Sequence, residues 1–138
     1  MTVQRKRRSP GGGGKSTQKS TALSSFNDIR EMALALPGVE DGTSYGTAAV
    51  KVGGRLFARQ HQSMDCVVLR CELLDREILM QSAPDAFFIT DHYRDHPWIL
   101  LRLGAVDKRE LPELIERAWR LVASKTLIKK HDAERRLP

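Results

Sequence analysis

The chain has 138 residues, with 23 Lys and Arg against 17 Asp and Glu, a formal net charge of +6 and 41% hydrophobic residues. That length allows one domain with its own core, and the composition is that of an ordinary globular protein. No run approaches the roughly 18 apolar residues that a membrane helix needs, so a spanning protein is excluded.

The charge is unevenly placed. Arg5, Lys6, Arg7, Arg8, Lys15 and Lys19 make the first twenty residues basic with no acid at all, whereas the rest of the chain carries 17 basic and 17 acidic side chains. The last stretch, from Lys125, holds five basic and two acidic residues, which leaves 21–124 with 12 against 15, a net of −3. The basic balance therefore belongs to the ends of the chain.

Residues 1–22 are rich in Gly, Ser, Thr and Lys and almost devoid of apolar side chains. Such a segment cannot bury enough surface to offset its ordering entropy, and a disordered basic tail is expected. Ser9, Pro10 and glycines follow the basic start where a secretory signal would have an apolar stretch. Gly11-Gly12-Gly13-Gly14-Lys15-Ser16-Thr17 has the ending of a phosphate-binding loop. Ser9 stands at its first glycine position, however, and no apolar strand precedes it, so it reads as a linker.

An α+β domain is expected over 23–130, with 131–138 as a flexible end. Ser25 with Asp28 three residues on has capping-box spacing, and Phe26, Ile29, Met32, Ala33 and Leu36 recur at helical spacing until Pro37-Gly38. Thr47 to Val52 and Arg55 to Arg59 read as a hairpin around Gly53-Gly54, which places Val50 opposite Phe57 and Val52 opposite Arg55. Cys66 to Arg70 reads as a third strand. Its flanking cysteines, Cys66 and Cys71, are five apart and point to opposite faces of an extended chain, so they read as reduced thiols in a cytosolic protein.

Leu74, Ile78 and Leu79 suggest a short helix over Leu73 to Ser82, ahead of Pro84. Ala86 to Ile89 and Pro97 to Leu103 read as the fourth and fifth strands, with Pro97 where a missing N–H is tolerated. Leu111, Leu114, Ile115, Ala118, Leu121 and Val122 form the stripe of a final helix. Asp107 and Glu110 are set to cap it, and Lys125, Lys129 and Lys130 stand at its C-terminal end. The fold class is a two-layer α+β sandwich, an antiparallel five-stranded sheet packed by helices in the order α-β-β-β-α-β-β-α.

Pro37-Gly38-Val39-Glu40-Asp41-Gly42 after the first helix and Gly46 ahead of a strand resemble the start of MmcQ/YjbR-type domains. So do Gly53-Gly54-Arg55-Leu56-Phe57-Ala58, His96-Pro97-Trp98, and the closing run from Glu110-Leu111 through Ala118-Trp119-Arg120-Leu121-Val122-Ala123 to Lys125. The resemblance covers roughly residues 25–130. It implies the same two-layer fold, related to CyaY/frataxin-like and secretion-chaperone-like domains. It also implies a "DNA-binding protein" label that rests on wing-like hairpins, and no catalytic residue set.

Site candidates follow from charge and spacing. The block Arg5-Lys6-Arg7-Arg8 suits salt-sensitive, sequence-independent phosphate contacts. Lys51, Arg55, Arg59, Arg70 and Arg102 fall on expected strands. In the register above, Arg55 and Arg59 share a face with Val50, Val52 and Phe57. Either they snorkel at the sheet margins, or part of that face is open and basic. His92 and His96 with Asp91, Asp95 and His61 have the residue types of a metal site, but the Asp91–Pro97 stretch reads as a loop and no metal is expected. Trp98 and Trp119 read as core. No cofactor or catalytic constellation is expected. The expected function is non-enzymatic DNA binding through Arg5, Lys6, Arg7, Arg8, Lys51, Arg55 and Arg59. The alternative is a protein-interaction or chaperone-like module without a nucleic-acid role. The expected state is a cytoplasmic monomer or weak homodimer.

Overall fold

The structure, a computed structural model, describes residues 25–136, so the tail with Arg5, Lys6, Arg7 and Arg8 and the glycine string lies outside the described residues. Helix α1 (Phe26–Leu34) begins as its sequence dictates: the Asp28 carboxylate accepts the Ser25 N–H at 3.0 Å, and Phe26, Ile29 and Ala33 form the buried face. It stops short of Leu36, the residue before Pro37, where helical backbone is disfavoured.

Gly38, at φ +72°, turns the chain into a strand absent from the sequence expectation, β1 (Val39–Ser44). β1 pairs antiparallel with β2 (Thr47–Val52) from Val39 opposite Val52 to Ser44 opposite Thr47. Its polar Glu-Asp-Gly composition hid it, because an edge strand exposed along most of its length needs little apolar alternation. Arg30 of α1 donates to the Asp41 carboxylate at 2.7 Å and ties this edge to the helix layer.

β3 (Arg55–Gln60), β4 (Val67–Arg70), β5 (Phe87–Phe88) and β6 (Trp98–Leu101) complete the sheet, whose spatial order is β1-β2-β3-β4-β6-β5 with every neighbouring pair antiparallel. The sheet thus has six strands rather than five. The Gly53-Gly54 hairpin forms as expected, with Val52 opposite Arg55, but the register then shifts: Lys51 faces Leu56 and Val50 faces Ala58. Phe57 is the extra residue of a β-bulge. A bulge adds one residue and reverses the alternation beyond it. Phe57 and Ala58 both enter the main core, and Arg55 and Arg59 emerge on opposite faces of the sheet instead of sharing one.

The inner face packs against α1 and α3 (Leu111–Val122) through Val50, Phe57, Leu69, Ile99, Ile115 and Trp119. Trp119 is fully buried, and its Nε1–H donates to the Pro37 carbonyl at 3.0 Å. α3 is entered through a short 3-10 turn, Lys108–Glu110, where the Asp107 carboxylate accepts the Arg109 N–H at 2.9 Å. The closing helix does not run on to Lys125. Ala123 is extended, and the Ser124 hydroxyl accepts the Leu127 N–H at 3.2 Å to start a fourth helix, α4 (Lys125–Arg135). α4 carries regular structure past residue 130 and lays Leu127 and Ile128 on the core.

The helix α2 (Leu73–Ser82) has the expected bounds, although Leu74 and Ile78 face solvent. It is held instead by Arg76, buried at 5% exposure, described below. A second, smaller cluster of Cys66, Val68, Tyr93 and Leu100 covers the outer face of the sheet, whereas Cys71 joins the main core. The two cysteines therefore lie on opposite faces as their spacing requires, both free and buried. Among the described residues no helix is long and apolar enough to cross a membrane.

Candidate ligand-binding face of the sheet

Alternation along the strands sends Lys51, Leu56, Arg59, Val68, Arg70 and Trp98 to the outer face. The segment between β5 and β6 folds back over part of this face. A 3-10 turn at Asp91–Tyr93 drives Tyr93 into the outer cluster and leaves His92 and His96 at the surface.

Arg76 fixes that segment. From α2, its guanidinium donates to the carbonyls of Tyr93 (2.9 Å), Arg94 (2.8 Å), His96 (2.8 Å) and Trp98 (3.0 Å). A cation thus collects carbonyl oxygens at the end of a short helical turn, where their partial negative charges converge. Its Nε remains buried without a partner, so the contact is electrostatically strong and incompletely satisfied.

Arg59 is the second buried guanidinium, at 4% exposure, and no carboxylate pairs with it among the described residues. It donates to the Tyr93 hydroxyl at 2.8 Å, the Gln62 side-chain oxygen at 2.8 Å and the Gln60 carbonyl at 3.3 Å. The Tyr45 ring lies 4.9 Å from its central carbon. Tyr45 occupies the tip of the β1–β2 hairpin at φ +53°, with Gly46 at +76°, the pair of positive φ angles that a two-residue turn between twisted strands requires.

Next to Arg59, the Nδ1 of His61 accepts the N–H groups of Ser63 and Met64 at 3.1 Å each. The ring proton of the neutral imidazole is thereby placed on Nε2. Burial, with the charges of Arg59 and His92 in support, holds His61 below its ordinary range. Burial pushes the Cys66 thiol up and the Cys71 thiol up to about 11. Both are far from the thiolate form that would make them nucleophiles. Among the described residues no group of three His, Cys, Asp or Glu could hold a metal ion, and His61, His92 and His96 form no such group.

The expected hairpin cations are not brought together. Lys51 is half-buried on the outer face opposite Glu40, Arg55 lies on the inner margin within 3.5 Å of the Val122 carbonyl, and Arg59 is buried. The outer face instead aligns three arginine–aromatic pairs. These are Arg59 with Tyr45, Arg70 with Trp98 at 5.1 Å, and Arg102 with Phe88 at 3.9 Å. Tyr45, Arg76 and Tyr93 carry no motif, and the Tyr-Gly dipeptide as a turn is the one signal that could have found the first. Donors, rings and an uncompensated cation equip this face to bind and orient an anion.

The fold is an α+β sandwich whose open antiparallel sheet leaves one face to helices and the other to a smaller apolar cluster partly covered by the segment between β5 and β6. The chain belongs to the YjbR family, whose model matches residues 34–121. α4 lies beyond that match. The chain is similar to uncharacterised proteins of Mycobacterium tuberculosis and Mycobacterium bovis, 38% identical over 50 residues. The matched stretch is 36% of this chain and spans only 39% of the relatives' length. The crystal structure of the Deinococcus radiodurans protein DR2400, with a DUF419 domain, superposes with a TM-score of 0.65 at 25% identity, covering 86% of this chain and 92% of that one.

Proposed function

We propose that this YjbR-family domain is a non-enzymatic nucleic-acid-binding module that contacts unpaired strands through the outer face of its sheet. The observation that carries this reading is the alignment of the three arginine–aromatic pairs on that one face. Cations that track phosphates beside rings that stack on bases are the two parts of a single-strand platform. Arg70 and Arg102 are its accessible cations, Trp98 and Tyr45 its rings, and Arg5, Lys6, Arg7 and Arg8 add sequence-independent attraction from the tail. Arg55, on the other side of the sheet, takes no part. Two buried free thiols suit a reducing compartment, and we place the protein in the cytoplasm on that ground.

The test is fluorescence anisotropy of a labelled oligothymidylate of roughly 12 nucleotides, within the range of known single-strand site sizes. The full-length protein is compared with Arg70→Gln/Arg102→Gln and with a variant in which Arg5, Lys6, Arg7 and Arg8 are all Gln. The sheet variant is expected to weaken binding about tenfold, equivalent to ~1.4 kcal/mol, and to flatten the salt dependence. Parent-like affinity in the sheet variant, with all binding lost in the tail variant, would reduce the protein to a basic tail. No binding by any form would instead favour a protein partner, for which Leu73, Leu74 and Ile78 stand exposed on α2.

A further inference from the structure

Two adjoining cavities open on the outer face, of about 220 Å³ and 290 Å³, and they share Tyr45, Arg59, His92 and Tyr93 as a common wall. They form one furrow with unlike ends. Leu56, Val68, Trp98 and His96 line the first end, three apolar or aromatic side chains beside an imidazole; His61, Gln62 and Thr90, all with polar groups, line the second. No Asp or Glu lines either part. Ligand pockets fall at roughly 300–1,000 Å³, so the joined furrow suits a small organic molecule.

Arg59 stands at the junction. A guanidinium has five N–H donors, and three hydrogen bonds here go to neutral oxygens, so two donors have no protein acceptor among the described residues. A guanidinium held only by neutral oxygens has no opposite charge of its own, and its spare donors suit charge-assisted hydrogen bonds to an anion. The Nε2–H of His61, the Thr90 hydroxyl and the Gln62 amide bring further donors to the same end. Donors from several directions match a tetrahedral oxyanion better than a planar carboxylate. Tyr45, 78% exposed as a residue, is held at φ +53° with its ring beside Arg59. Positive φ at a bulky residue is strained, and strain kept at a cavity mouth is a recurrent property of functional positions.

We infer that the furrow is a binding site for a nucleotide monophosphate group, with the phosphate on Arg59 and the base against Trp98 and Tyr45. It deepens the strand-binding reading, on which only its strand-end form rests: the same chemistry is presented by a free nucleoside monophosphate and by the phosphorylated 5′ end of a strand.

Trp98 lies in the furrow and Trp119 is fully buried, so intrinsic fluorescence reports on occupancy directly. The full-length protein is titrated with thymidine and adenosine monophosphates, with inorganic phosphate, and with matched oligothymidylates carrying a 5′-phosphate or a 5′-hydroxyl. Expected results are quenching by the monophosphates, competition by inorganic phosphate, and at least about tenfold tighter binding of the 5′-phosphorylated strand. Arg59→Gln should abolish that preference. Tyr45→Gly, which relieves the turn and empties no core, should fold normally and weaken nucleotide binding severalfold. Monophosphate binding without strand binding makes the free nucleotide the ligand and sinks only the strand-binding reading. Equal affinity for the two strand ends, with no quenching by any monophosphate, overturns the furrow site and leaves the sheet platform standing.

Discussion

Arg76 is the residue on which the outer face most depends, and its removal is predictable in size. Its guanidinium makes four hydrogen bonds to main-chain carbonyls between Tyr93 and Trp98. Three of them share the two hydrogens of Nη1, so at about 1 kcal/mol net per engaged hydrogen they amount to ~3 kcal/mol. Two of the four carbonyls keep a backbone donor when Arg76 is gone: Tyr93 O accepts the His96 N–H at 3.1 Å and His96 O the Trp98 N–H at 2.8 Å. The return of a buried, partly unsatisfied charge to solvent offsets a further part. Arg76→Met should therefore destabilise the domain by ~2 kcal/mol, a sizeable share of the roughly 5–15 kcal/mol typical of a domain. The corresponding fall in melting temperature is about 10 °C. Urea denaturation followed by circular dichroism is the assay, with the midpoint moving and the slope unchanged. The same variant should loosen the segment that carries His92, Tyr93 and His96, seen as faster amide exchange there than in α3. A stability change within about 0.5 kcal/mol, the size of an ordinary surface substitution, would refute the view that this arginine pins the segment.

Further outcomes follow from other parts of the molecule. Gly38→Ala places a Cβ 2.9 Å from the Leu127 side chain at φ +72°, and should cost about 1–2 kcal/mol in denaturation while disturbing α4 first. Cys66 and Cys71 should resist a thiol reagent at pH 8 in the native protein and react fully in urea, because burial raises both thiols. Burial alone would raise Glu116, but the guanidiniums of Arg120 and Arg135 and the His131 imidazole 3.5 Å away hold it below its ordinary value; hydrogen bonds from Arg120 do the same for Asp132. Both carboxyls are depressed on folding, so their stabilisation is complete above the unfolded values near about 4 and is lost as pH falls through the folded ones. Glu116→Gln should flatten that acid limb in a stability–pH profile. Arg55→Gln should leave oligonucleotide affinity unchanged, and a loss comparable to Arg70→Gln/Arg102→Gln would restore the hairpin wing.

Local signals were readable and long-range ones were not. The capping pair Ser25 and Asp28, the Gly53-Gly54 turn and the bounds of α2 are short-range chemistry and appear where the sequence puts them, and the α3 stripe does so except at Leu121, which is exposed while Trp119 is buried. The opposite facing of Cys66 and Cys71 is equally local, a matter of counting along an extended chain. β1 is held by pairing with β2 and by Arg30, so Glu40-Asp41-Gly42 carries no strand propensity to read. The bulge at Phe57 leaves composition and spacing untouched yet moves Arg59 to the other side of the sheet. The break between α3 and α4 turns on Ser124, with no Gly or Pro to announce it. Arg59 was therefore legible as a candidate residue but not as part of a furrow, since its neighbours Tyr45, Gln62 and Tyr93 come from three different loops.

The net charge of residues 21–124 hides how the charge is distributed, and the reason is spatial. The acidic side chains that make residues 21–124 net negative include Asp28, Asp41, Asp107, Glu113 and Glu116, and each of these is engaged with Lys or Arg of the helix layer or its loops. Arg59, Arg70 and Arg102 form no ion pair among the described residues and lie against rings instead. A guanidinium on an aromatic face has no opposite charge against it, although Arg59 still spends three donors on neutral oxygens and Arg102 donates to the carbonyls of Pro84 and Asp85. These ion pairs neutralise acids of the helix layer and its loops, whereas the outer side carries both signs: Glu40 lies opposite Lys51, and Asp65 lines the same hollow as Phe88 and Arg102. Exposed charges separated by more than a Debye length of about 10 Å are largely screened, so an approaching anion meets the local arrangement around the half-buried Arg70 and the exposed Arg102 and not the net charge of the body.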